Sequence, residues 1–222
     1  MNSLLKIAHV LDIIPRTLGK AGGWLVLPLI AVIMFDVITR KIDFLRIGMS
    51  ELSFYYIIEP IKLQDFEWHL HGVLLLLSFG FGYLMNTHVR VDIFRDKLAK
   101  RSQAKLELAG LIFMGLPFAL MTVWFALVFV YISFQQGEGS ESLTGIPMRY
   151  IVKSAAPIGF ILLLSAFVAT GLRLYVYLYG DEAAKEEADG LLTIFPEEDE
   201  AAVLLVDEDG MSDPEIYEEG KG

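Results

Sequence analysis

The stretch Ser154–Leu178, SAAPIGFILLLSAFVATGLRLYVYL, contains one charged side chain, Arg173. A helix crosses the ~30 Å hydrocarbon core of a membrane with about 20 apolar residues, because lipid offers no hydrogen-bond partner to a bare backbone group. The stretch is therefore predicted to be a membrane-spanning helix.

Three further segments have the same character, namely Ala21–Thr39, Trp68–Thr87 and Leu106–Phe134. The chain of 222 residues is 55% hydrophobic with a mean hydropathy of +0.52, well above an ordinary soluble domain. Aromatic residues near the ends of these segments are typical of a membrane interface. We expect an all-α membrane protein with four transmembrane helices, formed by residues 1–180. The absence of Cys from the sequence excludes disulfide and thiolate chemistry.

Acidic residues are concentrated at the C-terminus. Residues 181–222 hold sixteen of the 28 Asp and Glu residues against two Lys, whereas residues 1–180 hold sixteen Lys or Arg against twelve acids. This composition, without clear periodicity, predicts a disordered acidic tail over 181–222. Two short apolar islands, residues 191–195 and 201–206, leave a docking role open.

The loops of the predicted four-span topology differ in positive charge. Eleven Lys or Arg residues flank the spans on the side of the two termini and six on the opposite side, which predicts a multi-pass membrane protein with both termini in the cytoplasm. The long first loop contains Ser50–Ile58, which we predict to be a helix lying in the outer interface and broken by Pro60.

Asp36 lies within the first predicted span, four residues before Arg40 on the same helix face. An ionisable residue inside a membrane is a candidate functional group, because burying its charge is costly. We expect Asp36 to pair with Arg40 as a structural ion pair. Contact of Asp36 with a partner subunit is the alternative.

The stretch NTHVRVD, residues 86–92, lies at the predicted cytoplasmic end of the second span. Its charges hold the following loop on the inner side, and Asp92 is placed to cap a short helix. No nucleophile or base accompanies His88, so catalysis is not expected and the chain is not predicted to be an enzyme. His69 and His71 point in different directions on a helix, which argues against a metal site.

A haem-bearing or haem-free membrane anchor of a respiratory oxidoreductase is the alternative function. Axial haem ligands come from facing positions, generally on different helices, and the first, third and fourth predicted spans contain no His. A transporter acting alone would need polar groups near the midplane of the membrane, which the apolar spans do not supply. No cofactor and no nucleic-acid partner are expected. The lipid bilayer is an expected partner.

Three motifs resemble one family. They are EWHL at Glu67–Leu70, HVRVD at His88–Asp92, and GIPMRYIVKSAAPIGFILL at Gly145–Leu163. With four spans and an interfacial segment after the first, they are similar to the small membrane subunit of TRAP (tripartite ATP-independent periplasmic) transporters, the DctQ-like family, over about residues 10–178.

The resemblance implies a three-part uptake system driven by an ion gradient and importing carboxylates or related organic anions. Its other parts would be a large TRAP membrane subunit with the transport path and a periplasmic substrate-binding protein, with this chain as scaffold. The resemblance assigns structural or interface roles to the motif residues. Together with the Asp36 pair, the candidate residues are Asp36, Arg40, Glu67, His69, His88, Arg90, Asp92, Lys153 and Pro157.

Overall fold

The computed structural model describes residues 3–51, 53, 55–87, 98–142 and 144–192, and within these ranges all regular structure is helical. The helices are α1 (Ser3–Gly23), α2 (Val26–Lys41), α3 (Asp43–Ser50), α4 (Pro60–Leu84), α5 (Lys100–Gly110), α6 (Leu116–Gln135), α7 (Arg149–Lys153), α8 (Ala155–Tyr179) and α9 (Glu182–Asp189). A π-helical turn, Leu111–Gly115, joins α5 to α6.

By length and composition, three helical stretches of the described chain can cross a membrane. They are Ser3–Lys41, which a turn at residues 24–25 divides into α1 and α2, Lys100–Gln135 and Arg149–Tyr179. The helix α4 is as long as α8, with 25 residues each, but it is not among them. Its first half carries Asp65, Glu67, His69 and His71, which lower its mean hydropathy. The second predicted span, Trp68–Thr87, is therefore present largely as the helix α4, and its crossing of the membrane stays a prediction.

The helix α1 begins at Ser3, eighteen residues before the predicted start of the first span at Ala21. One face of α1 is buried, because apolar and small residues recur at helical spacing along it. The buried residues are Leu5, Ala8, Asp12, Pro15, Gly19 and Gly22.

The helices α2, α4, α8 and α6 form a row in which each packs along its neighbour, and α1 lies across α4 and α8. The centre of the row is tight. A Cβ on Gly80 of α4 would lie 2.7 Å from the carbonyl oxygen of Leu162, and one on Gly159 of α8 would lie 2.5 Å from that of Leu76. Glycine at these two positions therefore allows α4 and α8 to approach closely. No substantial contact joins α2 and α6 in the described part of the chain.

Two predicted boundaries were wrong. The interfacial helix expected over Ser50–Ile58 is displaced: α3 ends at Ser50, and residues 55–57 form a turn closed by the Ile58 N–H and the Tyr55 carbonyl at 3.0 Å. Pro60 begins α4 instead of breaking a helix, since the first turn of a helix needs no N–H donor from that residue.

The second wrong boundary concerns the predicted tail. Its first residues form α9, where Ala184 and Ala188 are buried against Leu5 of α1 and Val176 of α8. Leu192 packs with Leu174 and Leu178. Residues 193–222, which include most of the acidic sequence, lie outside the described residues.

Candidate functional site

The fold has two ends, which we call the loop end, with residues 136–148, and the terminal end, with Ser3 and α9. Asp36 lies towards the loop end of α2 and is 6% exposed. Arg40 Nε lies 2.9 Å from its carboxylate, and Arg40 Nη2 donates to the carbonyl of Pro60 at 3.2 Å. The predicted ion pair is confirmed. It also joins the end of α2 to the start of α4.

The loop of residues 136–148 is fastened to α4 by Asp65. Asp65 Oδ2 accepts the backbone N–H of Ile146 at 3.1 Å. A Cβ on Gly145 would lie 2.5 Å from the same oxygen, so the GIP sequence needs glycine there for this approach. The loop also pairs with itself, because the Ser140 N–H donates to the Ile146 carbonyl at 3.1 Å. Asp65 was not among the residues predicted from sequence.

Lys153, which the family resemblance singled out, closes the same loop from the other side. Its ammonium forms an ion pair with Glu138 and lies 4.1 Å from the ring centroid of Phe129. The hydrogen bond from Lys153 holds the pKa of Glu138 below its ordinary value. We call Asp65, Glu138, Gly145, Ile146 and Lys153 the loop clasp.

The other candidates near the loop end do not join the clasp directly. Glu67 and His69 are half-buried on α4, and Glu67 Oε1 is buried without a hydrogen-bond partner in the described structure. Pro157 is buried in the first turn of α8, where a missing N–H costs no helical hydrogen bond. The structure therefore gives Pro157 a packing role.

The motif residues His88, Arg90 and Asp92 lie outside the described residues. The chain before them leaves α4 through Asn86, whose φ of 54° is left-handed, and the Thr87 N–H returns to the Gly82 carbonyl at 3.1 Å.

Sequence reasoning missed an ion cluster at the terminal end, formed by Asp12, Arg16 and Arg173. Arg16 Nε lies 2.6 Å from Asp12, and Arg173 of α8 lies 3.3 Å from both oxygens of the same carboxylate. Asp12 and Arg173 are 6% and 4% exposed. The signal was present in the sequence, since a lone Arg in an apolar helix requires a counter-ion. We call these three residues the terminal ion cluster.

A second contact beside this cluster depends on Pro15, which lies inside α1 and has no N–H to donate. The carbonyl of Leu11, four residues earlier, therefore lacks its helical donor. The hydroxyl of Ser165 on α8 donates to that carbonyl at 2.7 Å. Lipid supplies no water to satisfy the freed carbonyl, so the Ser165 hydroxyl takes the place of a water donor.

The contacts of these polar groups join helices to one another and to the loop. Most of their charges are matched by a partner within the described chain. Together with the long apolar helices, they are typical of a multi-pass helical membrane protein. The chain matches the family model of tripartite ATP-independent periplasmic transporters, DctQ component, over residues 29–175. That is more than half of the chain, which therefore belongs to this family, the small membrane subunit of TRAP transporters. It matches no curated protein and no solved structure.

Proposed function

We propose that this chain is the scaffold subunit of a three-part transporter that imports carboxylates or related organic anions by symport with an ion gradient. Its partners are a large membrane subunit that contains the transport path and a periplasmic substrate-binding protein. The family match over residues 29–175 carries this proposal.

The pairing of buried charges supports a scaffold over a transport path. Asp36 is matched by Arg40, and Asp12 by Arg16 and Arg173. A path for an organic anion needs polar groups that are released to the solute during transport. These groups instead stabilise contacts between helices, so the transported anion is assigned to the large subunit.

We place the chain in the bacterial inner membrane with four spans. Three of these are the stretches that hydropathy selects, and α4 is the additional one. The loop end then faces the periplasm and the terminal end the cytoplasm, in agreement with the excess of Lys and Arg on the terminal side. The loop clasp would stiffen the surface presented to the binding protein.

The two outer helices of the row supply surfaces for the large subunit. Each packs along one long helical neighbour, α2 along α4 and α6 along α8, and each exposes apolar side chains over much of its circumference. We infer that the large subunit covers one of these surfaces and lipid the other. Exposed residues are Ile30, Ile33, Met34 and Val37 on α2, and Phe118, Met121, Trp124 and Phe125 on α6.

The test is co-expression of the tagged chain with the large subunit of the same transporter, followed by affinity purification in mild detergent. We expect the wild-type chain to retain the large subunit, and either Ile33→Ala with Met34→Ala or Phe118→Ala with Trp124→Ala to weaken retention. Ile7→Ala, on the exposed face of α1, is the control. Recovery of the chain without the large subunit in every case would contradict the proposal.

The membrane-anchor alternative is not favoured. Arg16 Nη1 of α1 lies 3.3 Å from Met85 Sδ, which follows the end of α4. His9 lies seven residues before Arg16 on α1, closer to the terminal end. His69 lies sixteen residues before Met85 along α4, or about 24 Å at ~1.5 Å per residue. These two described histidines are thus too far apart to ligate one haem. An absorbance scan of the purified chain without a Soret band would agree with this conclusion.

A further inference from the structure

A groove at the loop end has no role in the functions described above. It has a cavity volume of about 430 Å³ and lies between Val32 of α2, residues 56–58, Leu63 and Phe66 of α4, and Ile146 of the loop. We call it the loop-end groove. Its volume lies within the ~300–1,000 Å³ of small-molecule sites.

The wall formed by residues 56–58 is fixed to α4 by Lys62. Lys62 Nζ donates to the Tyr56 carbonyl at 2.5 Å and lies 5.3 Å from the centroid of the Tyr56 ring. This anchor keeps the short turn over the start of α4, so the groove is built into the fold.

The chemistry of the wall favours an apolar occupant. Apart from Lys62, its side chains are branched aliphatic or aromatic. Tyr56, Ile57 and Phe66 are 65%, 57% and 42% exposed, so an occupant would remove a large apolar area from solvent. A soluble anion of the transported class would gain little from such a wall.

The position of Val32 on α2 favours a long, thin occupant. Lys41 ends α2 at the level of charged groups, and Val32 lies nine residues earlier, or about 14 Å along the helix at ~1.5 Å per residue. One leaflet of a ~30 Å hydrocarbon core is about 15 Å thick. Val32 therefore lies about the depth of one leaflet below the end of α2, within reach of an acyl chain that enters the groove from the surface.

Partly exposed cationic side chains at the mouth can contact a phosphate. Lys62 lies 3.8 Å from Glu59, its side chain is 25% exposed, and Arg40 reaches the neighbouring Pro60 carbonyl with its side chain 45% exposed. Lys41 is exposed at the end of α2. We propose that the loop-end groove holds one acyl chain of a phospholipid from the loop-end leaflet, with its phosphate beside Lys62. The proposal does not depend on the partners assigned above.

Native mass spectrometry of the detergent-solubilised chain, titrated with palmitoyl-oleoyl phosphatidylglycerol, tests this site. Val32→Trp should fill the groove and remove one tightly held lipid. The control Val37→Trp places the same side chain on a face of α2 that is 48% exposed and should leave the lipid count unchanged. Equal lipid retention by the wild-type chain and both variants would overturn the proposal.

Labelling of the unaltered chain makes the result independent of how the variants fold. Nanodiscs containing phosphatidylglycerol with a diazirine in one acyl chain should label peptides with Val32 and residues 56–66 more than peptides of α6. Uniform labelling, or photo-crosslinking of a probe at Ile57 to a protein in the co-purified transporter, would reject a lipid occupant.

The phosphate contact is tested separately with Lys62→Gln. This variant should reduce the preference for phosphatidylglycerol over phosphatidylcholine about fivefold. An unchanged preference would reject the phosphate contact.

Discussion

The hydroxyl of Ser165 and the carbonyl of Leu11 form a hydrogen bond of 2.7 Å between residues 154 positions apart in the chain. Pro15 creates the need for it, since a helix would otherwise supply a donor from residue 15 to this carbonyl. The bond therefore compensates for a proline placed inside a buried helix. It also fixes the height at which α1 lies against α8.

Ser165→Ala should lower the free energy of unfolding by about 1 kcal/mol, because the Leu11 carbonyl then has no donor. In a Pro15→Ala background the loss should be smaller, since Ala at position 15 restores the helical N–H. A double-mutant cycle measured by SDS-induced unfolding in mixed micelles checks this coupling. Ser78→Ala, which removes a bond only to Leu74 on the same helix, is the control. Equal losses in both backgrounds would show that Pro15 is not the cause.

Asp12→Asn should be among the most damaging single substitutions in the chain. It removes the charge that faces two guanidinium groups, one of them nearly fully buried, and breaking a buried ion pair costs about 3–5 kcal/mol. Arg16→Gln should cost much less, because the Arg16 side chain is 31% exposed and solvent screens its charge. Unfolding curves of both variants, beside exposed Lys6→Gln, measure the difference. Similar losses for Asp12→Asn and Arg16→Gln would contradict a desolvated cluster.

Gly80→Ala should separate α4 from α8, whereas Gly72→Ala on the same helix should be neutral or stabilising. The added methyl group at residue 80 meets the backbone of Leu162, while no atom lies within 4 Å of the position it would take at residue 72. Replacing a helical Gly by Ala at an open site contributes up to about 1 kcal/mol. Thermal denaturation of the two variants in the same detergent checks the contrast. Equal shifts in Tm would argue against close packing at Gly80.

The ion pair of Lys153 with Glu138 predicts an acid-dependent loss of stability at the loop end. The pKa of Glu138 is held below its ordinary value of 4.5 in the folded chain, so the pair contributes fully above that pH. The contribution is lost as the pH falls through the lowered folded pKa. The protection of residues 136–148 against hydrogen exchange, relative to the intrinsic rate at each pH, should therefore fall below pH 4.5.

The Glu138→Gln variant tests the assignment of that acid response. It should exchange faster already at pH 7, and its remaining pH dependence should be weaker than that of the wild-type chain. Glu141→Gln is the matched control in the same loop, because the Glu141 side chain is 94% exposed and 3.8 Å from Arg149. An identical acid response in the Glu138 and Glu141 variants would exclude the Lys153 pair as the source.

Sequence alone predicted the features that depend on residues close together in the chain. Hydropathy located the apolar segments, and spacing placed Asp36 beside Arg40, because residues four apart meet on one helix face. The family resemblance singled out Lys153 but not its partner Glu138. These are local signals, or motifs whose position in the chain is enough to identify them.

Contacts between distant segments could not be predicted in the same way. Asp12 and Arg173 are 161 residues apart, so no spacing rule within one helix connects them. The prediction of the helix bounds near Pro60 was wrong for a different reason. Proline both ends and begins helices, and only the packing of the following residues on α2 and α8 decides which.

The row of α2, α4, α8 and α6 has a consequence for how the sequence can change over generations. Substitutions that are far apart and share no neighbour have nearly additive effects. The outward faces of α2 and α6 are separated by two intervening helices, so each can drift without a compensating change in the other. Selection can thus adapt the outward face of α2 or of α6 to a new neighbour while the other face keeps its old one. The close contact of α4 with α8 at Gly80 and Gly159 lies between these faces and must be kept in either case.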